Sequence, residues 1–323
     1  MRFVTACFCG LVLFAFPDRL VCAEQESLLR FNWQAGKRYT MSLETSKQLV
    51  MENLAPGANK SGENEKREFA VSVLKAGPKE GCELVMECLS TTTKSESNGK
   101  VAYSFDSTTD PKKDAGIPVA AMWRAFIGTK IKYLLDSDCK VLRVDGTDEL
   151  VSKMVAHDPG LKGDTSTPFL KEAKFGTNAL IELLQELMVV GLPKKNLKVG
   201  DQWTYPTEHK VELAVVESKF SFASLENHLG RDCARIGIDG AIKSSSDRGR
   251  LPPGIPMPKV QGQIKGNLWL DTKLEMLVER VTVEETTTAM DMPAVHGKEG
   301  ETFAIKANQK KTVTCRLLKV EDN

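Results

Sequence analysis

The chain has 323 residues, with 44 Lys+Arg, 43 Asp+Glu and 4 His, and is close to neutral. That balance, with no basic stripe, argues against nucleic acid or another polyanion as a partner. Eight cysteines in a chain long enough to bury a large core argue against a small disulfide-built fold.

Arg2 is followed by an apolar run from Phe3 to Phe16, a stop at Pro17 and Asp18, and the small-residue pattern Val21-Cys22-Ala23. This is the layout of a secretory signal peptide. The run is short of the roughly 20 apolar residues of a spanning helix. Residues 1–23 are therefore read as a leader cleaved after Ala23, with the mature protein starting at Glu24 and working outside the cytoplasm. Cys22 is not read as a lipoprotein cysteine, because the bulky Val21 precedes it. No later segment is apolar enough to cross a membrane. Five cysteines follow the leader, Cys82, Cys88, Cys139, Cys233 and Cys315, an odd number without framework spacing, so most are expected to be unpaired.

Most of the remainder alternates apolar and polar residues, the period of strands with one buried face. Tyr39, Met41 and Leu43 form one such set, as do Phe69, Val71 and Val73, and Cys82, Leu84, Met86 and Cys88. Later sets are Val211, Leu213 and Val215, then Ala234, Ile236 and Ile238, then Val313, Cys315 and Leu317. Ser97-Asn98-Gly99 and Leu229-Gly230-Arg231 are turn signals between strands. Asn53 to Lys66 and the proline-rich Ser244 to Pro258 read as long loops.

Three helices are predicted. Ile117 to Phe126 opens with Pro118 and puts Val119, Met122, Trp123 and Phe126 on one face. Thr147 caps a short helix carrying Leu150, Val151, Met154 and Val155. Asn178 to Val190, capped by Thr177 and stopped at Gly191 and Pro193, has a wide apolar face of Leu180, Leu183, Leu184, Leu187 and Met188, so it should be buried. Glu182, Gln185 and Glu186 form its narrow polar stripe, and Glu186→Ala is expected to change stability little.

Two segments repeat. Gly36-Lys37-Arg38-Tyr39 matches Gly200-Asp201-Gln202-Trp203, each a glycine turn leading to an aromatic. The stretch from Tyr133 through Asp136 to Leu142 matches that from Leu268 through Asp271 to Leu277, each an apolar strand, an Asp turn and an apolar strand. The predicted fold is mainly β with a few helices (α+β): curved antiparallel sheets in two similar lobes, 24–160 and 196–323, joined by a buried helical connector, 161–195.

No reaction chemistry is legible. The histidines match no metal-ligand spacing, and the Asp136-Ser137-Asp138 run fails as a calcium loop at Lys140 and Thr147. Gly57 to Gly62 lacks the Lys and Ser/Thr of a phosphate loop. No metal or cofactor is expected.

The run Leu192-Pro193, then Leu197-Lys198-Val199-Gly200-Asp201-Gln202-Trp203, resembles a family of exported bacterial proteins of unknown function. Gly36 to Tyr39 and Gly266 to Asp271 fit the same family pattern. The resemblance implies no catalytic residues. At the level of fold alone the chain is also similar to periplasmic lipoprotein carriers, curved half-barrels around a lipophilic cavity. Leu192, Pro193, Gly200, Asp201 and Trp203 are read as structural: Gly200 permits the turn, Asp201 bonds to its backbone and Trp203 anchors the new strand. The expected function is a non-catalytic exported β scaffold for an apolar small molecule or an envelope protein, with Trp123, Phe126 and Trp269 as candidate ligand lining. The alternative is an exported hydrolase whose site is assembled from scattered acidic residues or His.

Overall fold

A strand with bulky apolar residues at every second position buries one face and leaves its backbone to pair sideways. The computed structural model follows that rule and describes residues 26–52, 59–77, 80–117, 119–157, 176–209, 214–246, 256–293 and 302–323. The expected leader at 1–23, Pro118, positions 53–58 of the first predicted loop, 247–255 of the second, 161–175 of the expected connector, and Val211 and Leu213 lie outside these residues.

The strands are β1 (Lys37–Glu52), β2 (Asn59–Gly77), β3 (Gly81–Ser97), β4 (Lys100–Asp106), β5 (Lys130–Leu135), β6 (Val141–Asp145), β7 (Gln202–His209), β8 (Ala214–His228), β9 (Arg231–Ser244), β10 (Lys259–Asp271), β11 (Met276–Pro293) and β12 (Thr302–Asp322). The helices are α1 (Ala120–Phe126), α2 (Thr147–His157) and α3 (Thr177–Glu186).

The described strands form one curved, open antiparallel sheet rather than separate sheets, in the order β6-β5-β3-β2-β1-β12-β11-β10-β9-β8-β7, with β4 beside β3. One half runs β1-β2-β3-β5-β6, with β4 beside β3, and the other is the six-stranded meander β7 to β12; the two join where β12 pairs with β1, from Lys37 opposite Asp322 to Glu52 opposite Lys306. The turns work as read: Asn98 (φ 49°) with Gly99 (φ 76°), and Leu229 (φ 52°) with Gly230 (φ 79°), are both left-handed pairs that suit two-residue hairpins.

One hydrophobic core runs under the helices across both halves, from Tyr39, Phe69 and Leu84 to Phe222, Ile236 and Leu270. Helix α3 belongs to it, with Leu180 and Leu184 fully buried and Leu183 8% exposed, and Leu187 and Met188 just after the helix are fully buried too. The buried Tyr133 hydroxyl on β5 donates to the Leu180 carbonyl at 3.1 Å. From β11, Arg280 donates to both the Glu186 carbonyl and its carboxylate. A single helix is thus tied to both halves.

Several expectations are corrected. Residues 59–66 are the first part of β2, not loop, because Lys47, Glu44 and their neighbours on β1 pair with them throughout. Helix α3 ends at Glu186, and Gly176, not Thr177, is its N-cap; Leu187 to Val190 stay in contact with the core without helical turns. Val151 is 38% exposed while Leu150 and Met154 are buried. On β8 the buried phase is Ala214, Val216, Ser218, Phe220 and Phe222, so Val215 is out of phase with the core. The inward Ser218 breaks the hydrophobic alternation and Ala-Val-Val has none to read. The cysteines follow expectation: all five are unpaired thiols.

Candidate functional site

The core covers only part of the helix-bearing face. Past Leu43 the inward residues of β1 become Thr45 and Lys47, and on the neighbouring strands the phase brings polar side chains into line. Glu63 lies opposite Lys47, Lys47 opposite Lys311, and Lys311 opposite Glu284. The result is a row across four strands with the signs minus, plus, plus, minus. Lys311 Nζ is 3.4 Å from Glu284 Oε2, with the side chains 13% and 9% exposed. Nearby, Arg67 pairs with Glu65 and lies over the rings of Phe69 and Trp123, each 5.7 Å away. Half-buried charges of this kind persist when each finds an opposite partner.

Helix α3 runs along this boundary with a hollow on each side. One, about 220 Å³, is lined by Lys47, Glu63, Arg67, Lys311, Trp123 and the α3 residues Glu182 and Glu186. The other, about 90 Å³, is mainly apolar: Val189, Val190, Val216, Phe220, Ile238, Ile264 and Leu268, with Ser218, Thr282, Arg280 and Glu284 at its polar side. The polar stripe of α3 therefore faces these hollows, and Glu186 is bonded to Arg280 rather than left to solvent. Beyond the second hollow the inner face stays apolar. Ala214, Val216 and Ile242 are buried in a small cluster separate from the main core, with Val260 and Ile264 packed against it.

Two glycines allow close backbone approach in this region. A Cβ on Gly266 would lie 2.1 Å from the Val281 carbonyl oxygen, and one on Gly262 would lie 2.3 Å from that of Glu285. Only glycine lets these strand backbones approach so closely.

The residues singled out from the sequence are distributed as follows. Gly200 is left-handed (φ 100°), and Asp201 accepts from Lys198 N at 2.9 Å. Trp203 stacks on Phe220 at 5.6 Å and 15°, so the motif ends on a ring that lines the apolar hollow. Trp203 itself is half-buried at the margin of the core rather than within it. Leu192 packs on the core, while Pro193 is half-buried beside Gly191, whose Cβ would meet the Tyr205 ring at 2.4 Å. Trp123 and Phe126 are packed in the core, 2% and 1% exposed, with Trp123 reaching the charged hollow. Trp269 sits between the core residues Leu268 and Leu270 and so points to the opposite face. There it stacks on His228 at 4.2 Å and 8° and donates to Glu226 Oε1. Trp123 and Phe126 pack together at 6.3 Å, and Trp269 lies apart from them on the other face.

That outer face carries a polar network of its own. His228 Nε2 is 2.8 Å from Glu279 Oε2, and Arg316 Nε donates to Glu279 Oε1 at 2.8 Å. Burial raises Asp271, but hydrogen bonds from Leu274 N, the Arg231 guanidinium and Lys273 N outweigh it and hold the carboxyl below its ordinary value. Among the described residues no group of three or more His, Cys, Asp or Glu is placed to hold a metal ion, and no helix is long and apolar enough to cross a membrane. The hollow beside Val216, the charged row and the outer His228–Glu279 pair were all missed by sequence reasoning. Inward phase on β8 and β10 was the available signal for the first; the others depend on which strands become neighbours.

No curated protein matches the sequence. Among solved structures, lipovitellin is similar at TM-score 0.45 and 7% identity over 90% of this chain, which spans only 26% of the lipovitellin chain. The S-type phycobiliprotein lyase CPES from Guillardia theta aligns at TM-score 0.19 and 6% identity, covering 86% of this chain and 87% of that one. A domain described as an outer membrane lipoprotein-sorting protein, from Vibrio parahaemolyticus, aligns at TM-score 0.17 and 10% identity, covering 87% and 84%. These scores are too low to carry fold or ligand from one chain to the other. The sequence profile of a family of unknown function matches residues 81–274, and the chain belongs to that family, DUF6263.

Proposed function

We propose that this protein is an exported, non-catalytic binding scaffold that holds an apolar small molecule on the inner face of its sheet, beside α3. One observation carries the reading. The apolar lining does not stop with the core: it continues through Phe220, Ile238 and Leu268 to Val216, Ile264, Ile242 and Val260. Ligand sites in proteins are concave, mostly apolar and edged by a few polar groups, and Ser218, Thr282 and Arg280 supply that edge. Gly262 and Gly266 let the strand backbones approach closely at this place, and the sheet as a whole is curved. Export rests on the leader read at residues 1–23, and the envelope or the exterior is the proposed site of action.

Native mass spectrometry of the mature protein purified from its own host tests the reading. A bound molecule of a few hundred daltons, released by organic solvent and absent from Ile264→Asp protein that melts normally, is the expected result. Bare polypeptide from the host, together with no uptake of added apolar compounds, would overturn it. N-terminal sequencing of the same preparation should begin at Glu24; a start at an acylated Cys22 would replace the free exported protein with a lipoprotein.

A further inference from the structure

We propose that Cys82 and Cys139 are a disulfide-forming pair, closed by exchange with a small-molecule or protein disulfide. Cys82 opens β3, and its Cα pairs with Leu135 at the end of β5. Cys139 sits in the turn that follows β5, where Asp136 Oδ1 accepts from Asp138 N and Lys140 N. The start of β3 is pressed against this turn. A Cβ on Gly81 would lie 2.0 Å from the Leu135 carbonyl oxygen and 3.0 Å from the Asp136 carbonyl carbon. Cys82 belongs to the main core, and Cys139 packs against that core while remaining half-buried.

Cys139 is also held at φ 60°, the left-handed region that glycine or asparagine usually fills in such a turn. A thiol at that position is a poor choice for the backbone alone. Burial, and then the nearness of Cys82, push the Cys139 thiol up to about 11. The other three cysteines lie elsewhere: Cys88 opposite Phe69, Cys233 opposite Asp271, and Cys315 opposite Leu43. A single pairing therefore uses two thiols and leaves three, which accounts for an odd set of five without a framework.

The chemistry balances as follows. One cysteine, as thiolate, attacks a sulfur of the oxidant disulfide and releases one oxidant thiol. The second cysteine attacks the mixed disulfide, forms the Cys82–Cys139 bond and releases the other. The oxidant takes two electrons and both protons. Because burial holds both thiols above their ordinary value, the thiolate fraction is small and closure is slow.

The test is prolonged incubation of folded, reduced mature protein with excess oxidised glutathione, followed by thiol counting in denaturant and non-reducing peptide mapping. The expected result is loss of two of the five thiols, with the Cys82 and Cys139 peptides joined and separable by reductant. Closing so long a loop should raise Tm by on the order of 5 °C. Cys139→Ser should show neither the joined peptide nor the Tm gain, while Cys88→Ser keeps both. Five surviving thiols, stable glutathione adducts without a Cys82–Cys139 bond, or a bond between other cysteines would each overturn the proposal.

Discussion

The two halves of the sheet each carry an Asp-centred hairpin, yet they differ in what lies on them. The hairpin β5–β6 turns on Asp136, which accepts two backbone N–H groups and stays near solvent. The hairpin β10–β11 turns on Asp271, which also accepts two backbone N–H groups but is 5% exposed and held by Arg231. The first half is covered by α1 and α2, with Trp123 and Phe126 filling the space. The second has close backbone approaches at Gly262 and Gly266 and carries, beside α3, a small hollow and a separate apolar cluster. One local pattern therefore supplies two turns, and the neighbours decide whether the surface becomes core or cleft.

The strongest way to break this comparison is to remove the helix side chain that both halves share. Leu184→Ala empties a fully buried position and should cost about 2–5 kcal/mol, lowering Tm in a single cooperative transition. Two separate calorimetric transitions would show that the halves fold independently and that α3 does not join them.

A glycine pair contrasts the halves more sharply. Gly266→Ala drives a methyl group to 2.1 Å from a backbone oxygen and should cost about 1–3 kcal/mol, as an overpacked site does. Gly62→Ala in the first half meets nothing closer than 3.8 Å and should leave the urea midpoint unchanged or slightly raised. Equal effects would remove the argument that the second half needs glycine for its close backbone approaches.

The smallest predicted difference lies between the two aspartates. Asp271→Asn should lose about 1–2 kcal/mol at pH 7, the scale of a charge-assisted hydrogen bond, and Asp136→Asn less. The folded-state pKa of Asp271 lies below its ordinary value of 3.8. Its contribution is therefore complete above that value and is lost as pH falls through the lower folded value. Urea titrations of wild type and Asp271→Asn should differ at pH 7, and the difference should shrink as pH falls below 3.8. A gap that does not shrink on acidification would mean the loss is steric.

Much of the fold was legible because large residues reveal the phase of a strand. Tyr39, Met41 and Leu43, and Ala234, Ile236 and Ile238, are buried as their alternation requires. Leu183, Leu184 and Leu187 likewise place α3 in the core. The candidate site was much less legible. Its inward positions on β8 include Ala214 and Ser218, which carry little hydrophobic signal. The charged row needs β1 beside β12, a pairing of opposite ends of the chain that no local window contains. Trp269 was misleading for the opposite reason: a large aromatic suggests a lining residue, but its place between Leu268 and Leu270 turns it outward. Glu186 looked like a solvated helix position until Arg280 of β11 was found across from it.

The central claim is that the apolar strip beside α3 is a binding surface. Titration of the mature protein with an environment-sensitive apolar fluorophore, with the Trp203 contribution to tryptophan emission isolated by comparison with Trp203→Phe, tests it most directly. Trp203 stacks on Phe220 at the edge of the hollow, so an occupant there should change its emission. The account predicts saturable one-to-one binding that alters Trp203 fluorescence and is lost in Ile264→Asp protein of normal Tm. Binding that does not saturate, or that is the same in the variant, would contradict it.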